Sequence, residues 1–500
     1  MIVLSLAEIA DVVGGRLHRA DPGAQVTGTV EFDTRKLTPG GLFVALPGEQ
    51  VDGHDFAAQA VEAGAVAVLA AREVDAPAIV VPPLAAGEAH ERSVALTGDK
   101  DGSGAAVLAA LAKLARFVVQ RLAEGNLTVV GVTGSSGKTS TKDLIAQLLE
   151  PLGPTVAPPG SFNNELGHPW TALRADAETK HLVLELSARG PGHIAHLAEI
   201  APPRIGAVLN VGSAHVGEFG SREGIAKTKG ELVEALPEHG VAVLNADDPL
   251  VSAMASRTKA RVVFFGQSPS AQVRATGITL DDQARPAFRL VTPAGEADVR
   301  LPLHGEHHVS NALAAAAIAL ELGSSPAEVA ERLSAVQRRS ARRMEVVTRP
   351  DGVTILNDSF NANPESMRAG LKALAAMTRD SGRRSWAVLG VMGELGADSV
   401  NAHDEIGRLV VRLNIAKLVV IGPEAAAMHQ GAFQEGSWGE ESALVPDVEA
   451  AIALLHDQLR PGDVVLVKAS KAAGLWRVAE ALLEPRETDN SENRSNGGDA

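Results

Sequence analysis

Thr133-Gly134-Ser135-Ser136-Gly137-Lys138-Thr139-Ser140 follows the apolar run Leu127 to Val132 and opens a helical pattern from Lys138 to Glu150. A strand, a glycine turn and a helix start make a phosphate cradle. Backbone N–H groups and the positive helix end face the anion, Lys138 adds charge, and the Thr139 hydroxyl suits Mg²⁺. Residues Gly134 to Ser140 therefore read as an ATP site. The standard Walker spacing needs a glycine where Val132 stands, so the turn is a shorter one. Glu185 ends the next buried run, and His215 comes shortly after the one that follows. Taken alone, Glu185 could be an ordinary strand-end residue, and a lone histidine such as His215 more often hydrogen-bonds its own loop. Together with the loop they describe a nucleotide-hydrolysing or phosphoryl-transferring site, without naming what receives the phosphoryl group.

The elements that must position these residues are of α/β type. In residues 1–105 a helix is expected over Ala7 to Val13, strands over Gly41 to Leu46 and Ala65 to Ala70, and a helix from Phe56 to Ala63. Pro82 to Gly104 has no sustained period and reads as a long loop before a helix from Ala105 to Leu122. Residues 106–342 then alternate buried runs with helical stretches: Leu127 to Val132, Leu182 to Leu186, Ile205 to Val211 and Val241 to Asn245. That pattern predicts a mostly parallel sheet, with ligands gathered at the carboxyl ends of its strands. Residues 343–486 repeat it with Val353 to Asn357, Trp386 to Val391, Lys417 to Ile421 and Val464 to Val467, a Rossmann-like doubly wound sheet. The tail 487–500 is polar and is expected to be disordered.

With 500 residues, three domains are expected. No run approaches the roughly 20 apolar residues of a membrane span, and the N-terminus lacks a basic leader, so a cytoplasmic protein is expected. The absence of cysteine excludes disulfides and thiolate ligands, which leaves oxygen and imidazole donors and favours Mg²⁺. A net charge of −15 and the lack of tyrosine argue against broad nucleic-acid binding.

Further blocks narrow the reading. They are FDTRKLTPGGLFVALPGEQVDGHDF (32–56), the loop block itself (131–145), SFNNELGHPW (161–170) and ELSARGPGHI (185–194). NVGSAHVGEFGSREGIAKTKGEL (210–232), HGEHHVSNALAAAAIA (304–319), ARRMEV (341–346) and NDSFNANPESMRAGL (357–371) follow. Through these blocks the chain resembles the Mur ligases of peptidoglycan synthesis, from about Leu4 to Leu483, and the short phosphate loop is that family's own form. The 357–371 block points to the branch that adds D-alanyl-D-alanine to UDP-N-acetylmuramoyl-tripeptide. Another amino-acid or glutamyl ligase, such as a folylpolyglutamate synthetase, is one alternative, against which the uridine-type N-terminal block weighs. A nucleotide-dependent binding or regulatory protein with a degenerate ligase fold is the other, against which intact Lys138, Thr139, Glu185 and His215 argue.

The resemblance implies a monomeric, ATP- and Mg²⁺-dependent amide ligase that works through an acyl phosphate and releases ADP and phosphate. It assigns catalysis to Lys138, Glu185, His215 and Lys229, with Thr139, Glu185, His215 and a carbamylated Lys229 as metal ligands. Helical geometry sets Lys227 and Lys229 about 200° apart on an expected helix from Ile225 to Leu236, so only one can face the site. The family motif selects Lys229. Asn311, Arg343 and Asp358 are implied nucleotide contacts, although Asp358 could instead cap the next helix. Thr34, Arg35, Asn163, Asn164 and Asn361 are implied substrate-side residues, although adjacent asparagines alone read as turn formers. Phe360 stands where the family often has tyrosine, and Lys471 where it usually has arginine, which cannot be replaced in a bidentate grip.

Overall fold

A computed structural model describes residues 1–48, 51–84, 99, 101–213, 216–437 and 439–484. The polar tail and most of the loop from Pro82 to Gly104 lie outside the described residues. Three larger sheets carry the fold.

The N-terminal sheet has five strands in the order Arg16–His18, Ala78–Val80, Ala65–Ala70, Gly41–Val44, Val30–Glu31. All pairs are parallel except the first. The helix Leu6–Val13 starts at a capping box in which Ser5 and Glu8 satisfy each other's backbone N–H, and it buries Leu6, Ile9 and Val13. The helix Ser103–Ala123 packs against it and leads into the central unit.

The central sheet has nine strands. Its parallel heart is Thr155–Val156, His181–Glu185, Thr128–Thr133, Ile205–Val208, Val241–Asn245 and Arg261–Gly266, in that order. The register pairs Glu185 with Val132 and Val208 with Thr133, so three strand ends finish level. The phosphate loop, Glu185 and the segment after Val208 therefore leave the sheet at one edge. Beyond Gly266 the strands Val273–Leu280, Pro286–Thr292 and Gly295–Arg300 extend the sheet, the last two pairings being antiparallel. The sequence reading misses these three, because their polar residues alternate with apolar ones on a half-exposed face instead of forming apolar runs. A second difference concerns the expected helix from Ile225 to Leu236. It is broken into Arg222–Lys229 and Glu231–Glu234 at Gly230, where the Arg257 guanidinium lies against the backbone and donates to the carbonyls of Ala226 and Lys227.

The C-terminal sheet has six strands in the order Glu345–Thr348, Thr354–Asn357, Val464–Lys468, Ser385–Leu389, Lys417–Ile421, Ser442–Val445, parallel after the first antiparallel pair. Helices cover both faces, and the buried sides of its strands fall into two separate cores. Among the described residues no helix is long and apolar enough to cross a membrane.

The short helix Gly167–Ala172 ties the first two units together, and all six of its residues are buried. Trp170 donates from Nε1 to Glu31 Oε2 at 3.1 Å, with Phe162 and Phe32 ring centroids 4.7 and 5.8 Å away. Burial raises the pKa of Glu31, and the indole hydrogen bond opposes that rise. On the other side of the helix, His168 Nδ1 donates to the Glu185 carbonyl at 3.3 Å, and burial pushes its pKa down to about 4. Trp170→Ala should lower unfolding stability by about 3–5 kcal/mol, as for a buried aromatic. Trp170→Phe should cost about 1–3 kcal/mol, chiefly by leaving Glu31 buried without its donor. Both are read from denaturant unfolding. Between pH 6.5 and about 4 the unfolded chain binds a proton at His168 that the folded chain refuses, so stability should fall as the pH drops through that window. His168→Asn keeps an N–H for the carbonyl and should flatten this part of the profile of urea midpoint against pH; an unchanged slope would assign the acid sensitivity elsewhere.

Candidate active site

The strand Thr128–Thr133 is buried throughout and delivers the chain into the turn Gly134 to Gly137. Gly137, with φ +81°, takes a left-handed conformation that lets the helix Lys138–Leu149 begin at once. The turn is held from outside by Asn210. Ser135 N–H donates to the Asn210 carbonyl at 3.1 Å, and Ser136 N–H to Asn210 Oδ1 at 2.9 Å. Asn210 Nδ2 returns a bond to the Ser136 carbonyl at 3.2 Å. Gly212 N–H donates to Ser135 Oγ at 2.9 Å. Asn210 is a functional residue the sequence reading missed; its place two residues past Val208, at the ligand edge of the sheet, was the available signal.

Lys138 Nζ donates to the Gly134 carbonyl at 2.7 Å, folded back over its own turn. Burial lowers its pKa; Glu185 opposes this, and Arg343 adds to it. Thr139 is buried beside it, and Ser140 faces a neighbouring cavity. Glu185 is 0% exposed. Its Oε2 accepts from Asn163 Nδ2 at 3.0 Å and from Ser161 Oγ at 3.4 Å, while Oε1 is buried without a hydrogen-bond partner. A buried carboxylate oxygen in that state beside a hydroxyl and an anion cradle suits a hard cation such as Mg²⁺. Asn163 is fixed in turn by Ser187, whose N–H and Oγ–H both reach its carbonyl. His215 lies outside the described residues.

Lys229 is 5% exposed, whereas Lys227, on the same helix, is exposed. Burial, and then the charge of Lys138, drive the Lys229 pKa far below that of an ordinary lysine. Asn311 lies in the second turn of the helix His307–Glu321, not at its end, and is buried against the phosphate loop. A Cβ on Gly137 would lie 2.6 Å from its Oδ1. A cavity of about 290 Å³ opens alongside, lined by Ser140, Asp143, His304, His308, Arg339 and Arg343 among others.

Arg343 stands between two non-glycine residues in the left-handed region, Arg342 with φ +58° and Met344 with φ +46°. Its guanidinium lies 4.2 Å from the Phe360 ring centroid, and burial lowers its pKa against the opposing charges of Glu185 and Asp358. Asp358 does not cap a helix. It accepts the Met344 N–H at 3.1 Å and pairs with the buried Lys468 at 2.5 Å. Asn363 is the cap of the following helix. Asn361 is exposed, and its carbonyl accepts from Lys468 Nζ at 3.0 Å. Lys468 is another residue the sequence reading left without a role.

The structure thus brings Lys138, Glu185, Lys229, Asn311 and Arg343 together around one loop. It does not bring Thr34 and Arg35 there. They form a single 3₁₀ turn after the edge strand Val30–Glu31. The Arg35 side chain is 84% exposed and clasps Asp33 with two hydrogen bonds of 2.9 Å, holding the Asp33 carboxyl down at about 2. Asn164 uses its Oδ1 to accept the Gly167 N–H at 2.9 Å, a bond local to its own turn.

Comparison with known proteins agrees with this layout. The family description "Mur ligase family, catalytic domain" matches residues 26–116, "Mur ligase middle domain" residues 132–319, and "Mur ligase, glutamate ligase domain" residues 342–471. A UDP-N-acetylmuramoyl-tripeptide--D-alanyl-D-alanine ligase from Mycobacterium tuberculosis is 58% identical over 502 residues, covering 97% of this chain and 98% of that protein. The protein of that name from Escherichia coli is 35% identical over 491 residues, covering 97% and 99%. Among solved structures, MurF from Acinetobacter baumannii superposes with a TM-score of 0.82 at 29% identity, over 97% of this chain and 99% of that one. A MurF ligase from Thermotoga maritima in complex with ADP gives 0.73 at 31%, over 91% and 97%. With relatives this similar along nearly their whole length, and with the family's three parts in order along it, the chain belongs to the Mur ligase family.

Proposed function

We propose that the protein joins D-alanyl-D-alanine to UDP-N-acetylmuramoyl-tripeptide in peptidoglycan synthesis, forming an amide while ATP becomes ADP and phosphate. The observation that carries this reading is the gathering of Lys138, Lys229, Arg343 and the half-satisfied Glu185 around the phosphate loop, in a chain similar throughout to ligases of that name. Residues 1–105 hold the nucleotide-linked peptide, 106–342 the ATP, and 343–486 close on both. The reading puts the enzyme in the cytoplasm, where its soluble substrates are, and by resemblance it acts as a monomer.

The tripeptide's terminal carboxylate attacks the γ-phosphate, giving an acyl phosphate and ADP. The dipeptide amine then adds to the acyl carbon, and the tetrahedral adduct expels phosphate. A carboxylate approaching a triphosphate meets like charge, so catalysis here is placement and neutralisation. Backbone N–H groups of Gly134 to Gly137 and the start of the helix Lys138–Leu149 receive the phosphates. Lys138 exchanges the Gly134 carbonyl for a phosphate oxygen, and that anion favours its protonated form. Ser140, Asn311 and the cavity beside them seat the base and ribose. Arg343 adds charge from the domain junction, with Asp358 and Lys468 fixing the backbone beside it.

Thr139 and Glu185 would hold Mg²⁺, which when bound screens the phosphate oxygens; by resemblance His215 and Lys229 serve a second ion. A neutral Lys229 amine is the form that adds CO₂, losing one proton to solvent as the N–C bond forms, and the resulting carbamate would be an anionic ligand where an ammonium would repel the ion. Asn163 orients Glu185. Asn164 and Asn361 line the approach of the peptide substrates, and Thr34 and Arg35 meet the uridine diphosphate once Arg35 shares its guanidinium between Asp33 and phosphate.

Product analysis by mass spectrometry, with UDP-muramoyl-tripeptide, ATP and Mg²⁺ supplied with or without D-alanyl-D-alanine, tests the reading. Pentapeptide should form only with the dipeptide present; phosphate release indifferent to the dipeptide would sink it. Lys138→Ala should lower kcat by about 10³-fold or more in the same assay, by loss of charge at the transferring phosphoryl group. Full activity in that variant would remove the loop from the mechanism.

A further inference from the structure

Glu365 lies in the first turn of the helix Pro364–Thr378, in the C-terminal unit, two residues after the cap Asn363. Its Oε1 accepts the Ser213 N–H at 2.8 Å and the Ser213 Oγ–H at 2.9 Å, across the junction with the central unit. Its Oε2 is buried without a hydrogen-bond partner. Ser213 continues the segment whose Asn210 and Gly212 hold the phosphate loop. Asn363 Nδ2 meanwhile donates to the Ser135 carbonyl at 3.3 Å. One helix start therefore reaches the phosphate loop twice, once directly and once through Gly212 and Ser213.

Gly212 supplies an independent observation. It is not among the glycines with positive φ, so its backbone conformation does not call for glycine. A Cβ there would lie 2.5 Å from Glu365 Cδ and 2.8 Å from each carboxylate oxygen. The absent side chain is the room that Glu365 occupies. Gly217, which also lacks a positive φ, repeats the pattern: a Cβ on it would lie 2.8 Å from Gly396 N, in the C-terminal unit. Seating a carboxylate oxygen on a glycine with no donor is worse for that oxygen than water. The contact therefore makes sense as placement and not as a source of stability.

We infer that Glu365 is a positioning residue for phosphoryl transfer: docked on Gly212 and Ser213, it carries the seating of the C-terminal unit to Ser135 of the phosphate loop. The inference rests on the ATP-driven ligation proposed above. When the C-terminal unit is away, Ser213 loses a two-bond anchor and the Ser135 carbonyl loses Asn363. The loop's N–H groups then hold their transition-state arrangement less firmly, so chemistry waits for docking.

The test compares wild type, Glu365→Ala, Gly212→Ala, the double variant and Glu365→Gln, measuring kcat and KM with all three substrates. Each single alanine variant should lower kcat by about tenfold or more, with KM for the UDP-tripeptide within about twofold. The double variant should be no worse than the poorer single, because the methyl group added by Gly212→Ala then fills space that the Glu365 side chain has vacated. Glu365→Gln keeps an acceptor for Ser213 and should recover most of the rate. Losses that multiply in the double variant, a Glu365→Ala rate within about twofold of wild type, or a Gly212→Ala rate at the wild-type level would each overturn the assignment. The Gly212→Ala arm stands even if Glu365→Ala does not fold. Dipeptide dependence of the wild type in the same assay tests the ligase reading separately; if ATP is split without dipeptide, the same comparison is read on phosphate release.

Discussion

Lys138 and Lys229 share one buried neighbourhood, where each ammonium is costlier to hold than in water. Burial lowers both, the charge of Lys138 lowers Lys229 further, and Arg343 presses on Lys138 from the domain junction. Glu185 counters the effect on Lys138 and on Arg343, and one of its own oxygens is left without a partner. Such an assembly gains most from a ligand that brings several negative charges at once. A triphosphate with its cation does so. The same neighbourhood separates the two lysines: Glu185 opposes the shift at Lys138, whereas the charge of Lys138 pushes Lys229 further down.

Arg343 can take part only because the chain around it is held in an unusual shape. Left-handed backbone at a non-glycine residue costs on the order of 1–3 kcal/mol, and here it occurs on both sides of the arginine, at Arg342 and Met344. The restraints come from the C-terminal unit. The Arg342 guanidinium lies 4.3 Å from the Trp476 ring centroid and bonds Glu480 at 3.1 Å, while the Met344 N–H is taken by Asp358. Asp358 is itself fixed by Lys468. Phe360 receives Arg343 on its ring, with Lys471 at 6.0 Å, so a ring without a hydroxyl still organises the cations at this junction. The direction of Arg343 is thus set by the C-terminal unit, although its charge reaches Lys138 in the central one.

Much of this was legible because strand ends are legible. Apolar runs such as Val241 to Asn245 and Lys417 to Ile421 appear as strands with those very limits, and the rule that ligands gather past such ends led to Lys138 and Glu185. Helix geometry alone reduced Lys227 and Lys229 to a choice, and of the two Lys229 is the buried one. The three strands between Val273 and Arg300 were not legible, since half-exposed antiparallel strands carry no apolar run. Asn163 reads as a turn residue in sequence, yet its amide orients Glu185 from 22 positions away.

Contacts across a domain junction are the part that sequence pattern hides most completely. Glu365, just after a proline at a helix start, looks like a residue placed for the helix dipole, a role that needs no partner outside its own turn. Gly212 looks like one more loop glycine. Each has an ordinary local explanation, and neither local explanation is the one the structure supports. What links them is a contact between elements more than 150 positions apart, which leaves no room for a Cβ at Gly212. A glycine with ordinary φ beside a phosphate loop is therefore more informative than one with left-handed φ, because the backbone does not require it and something packed against it must.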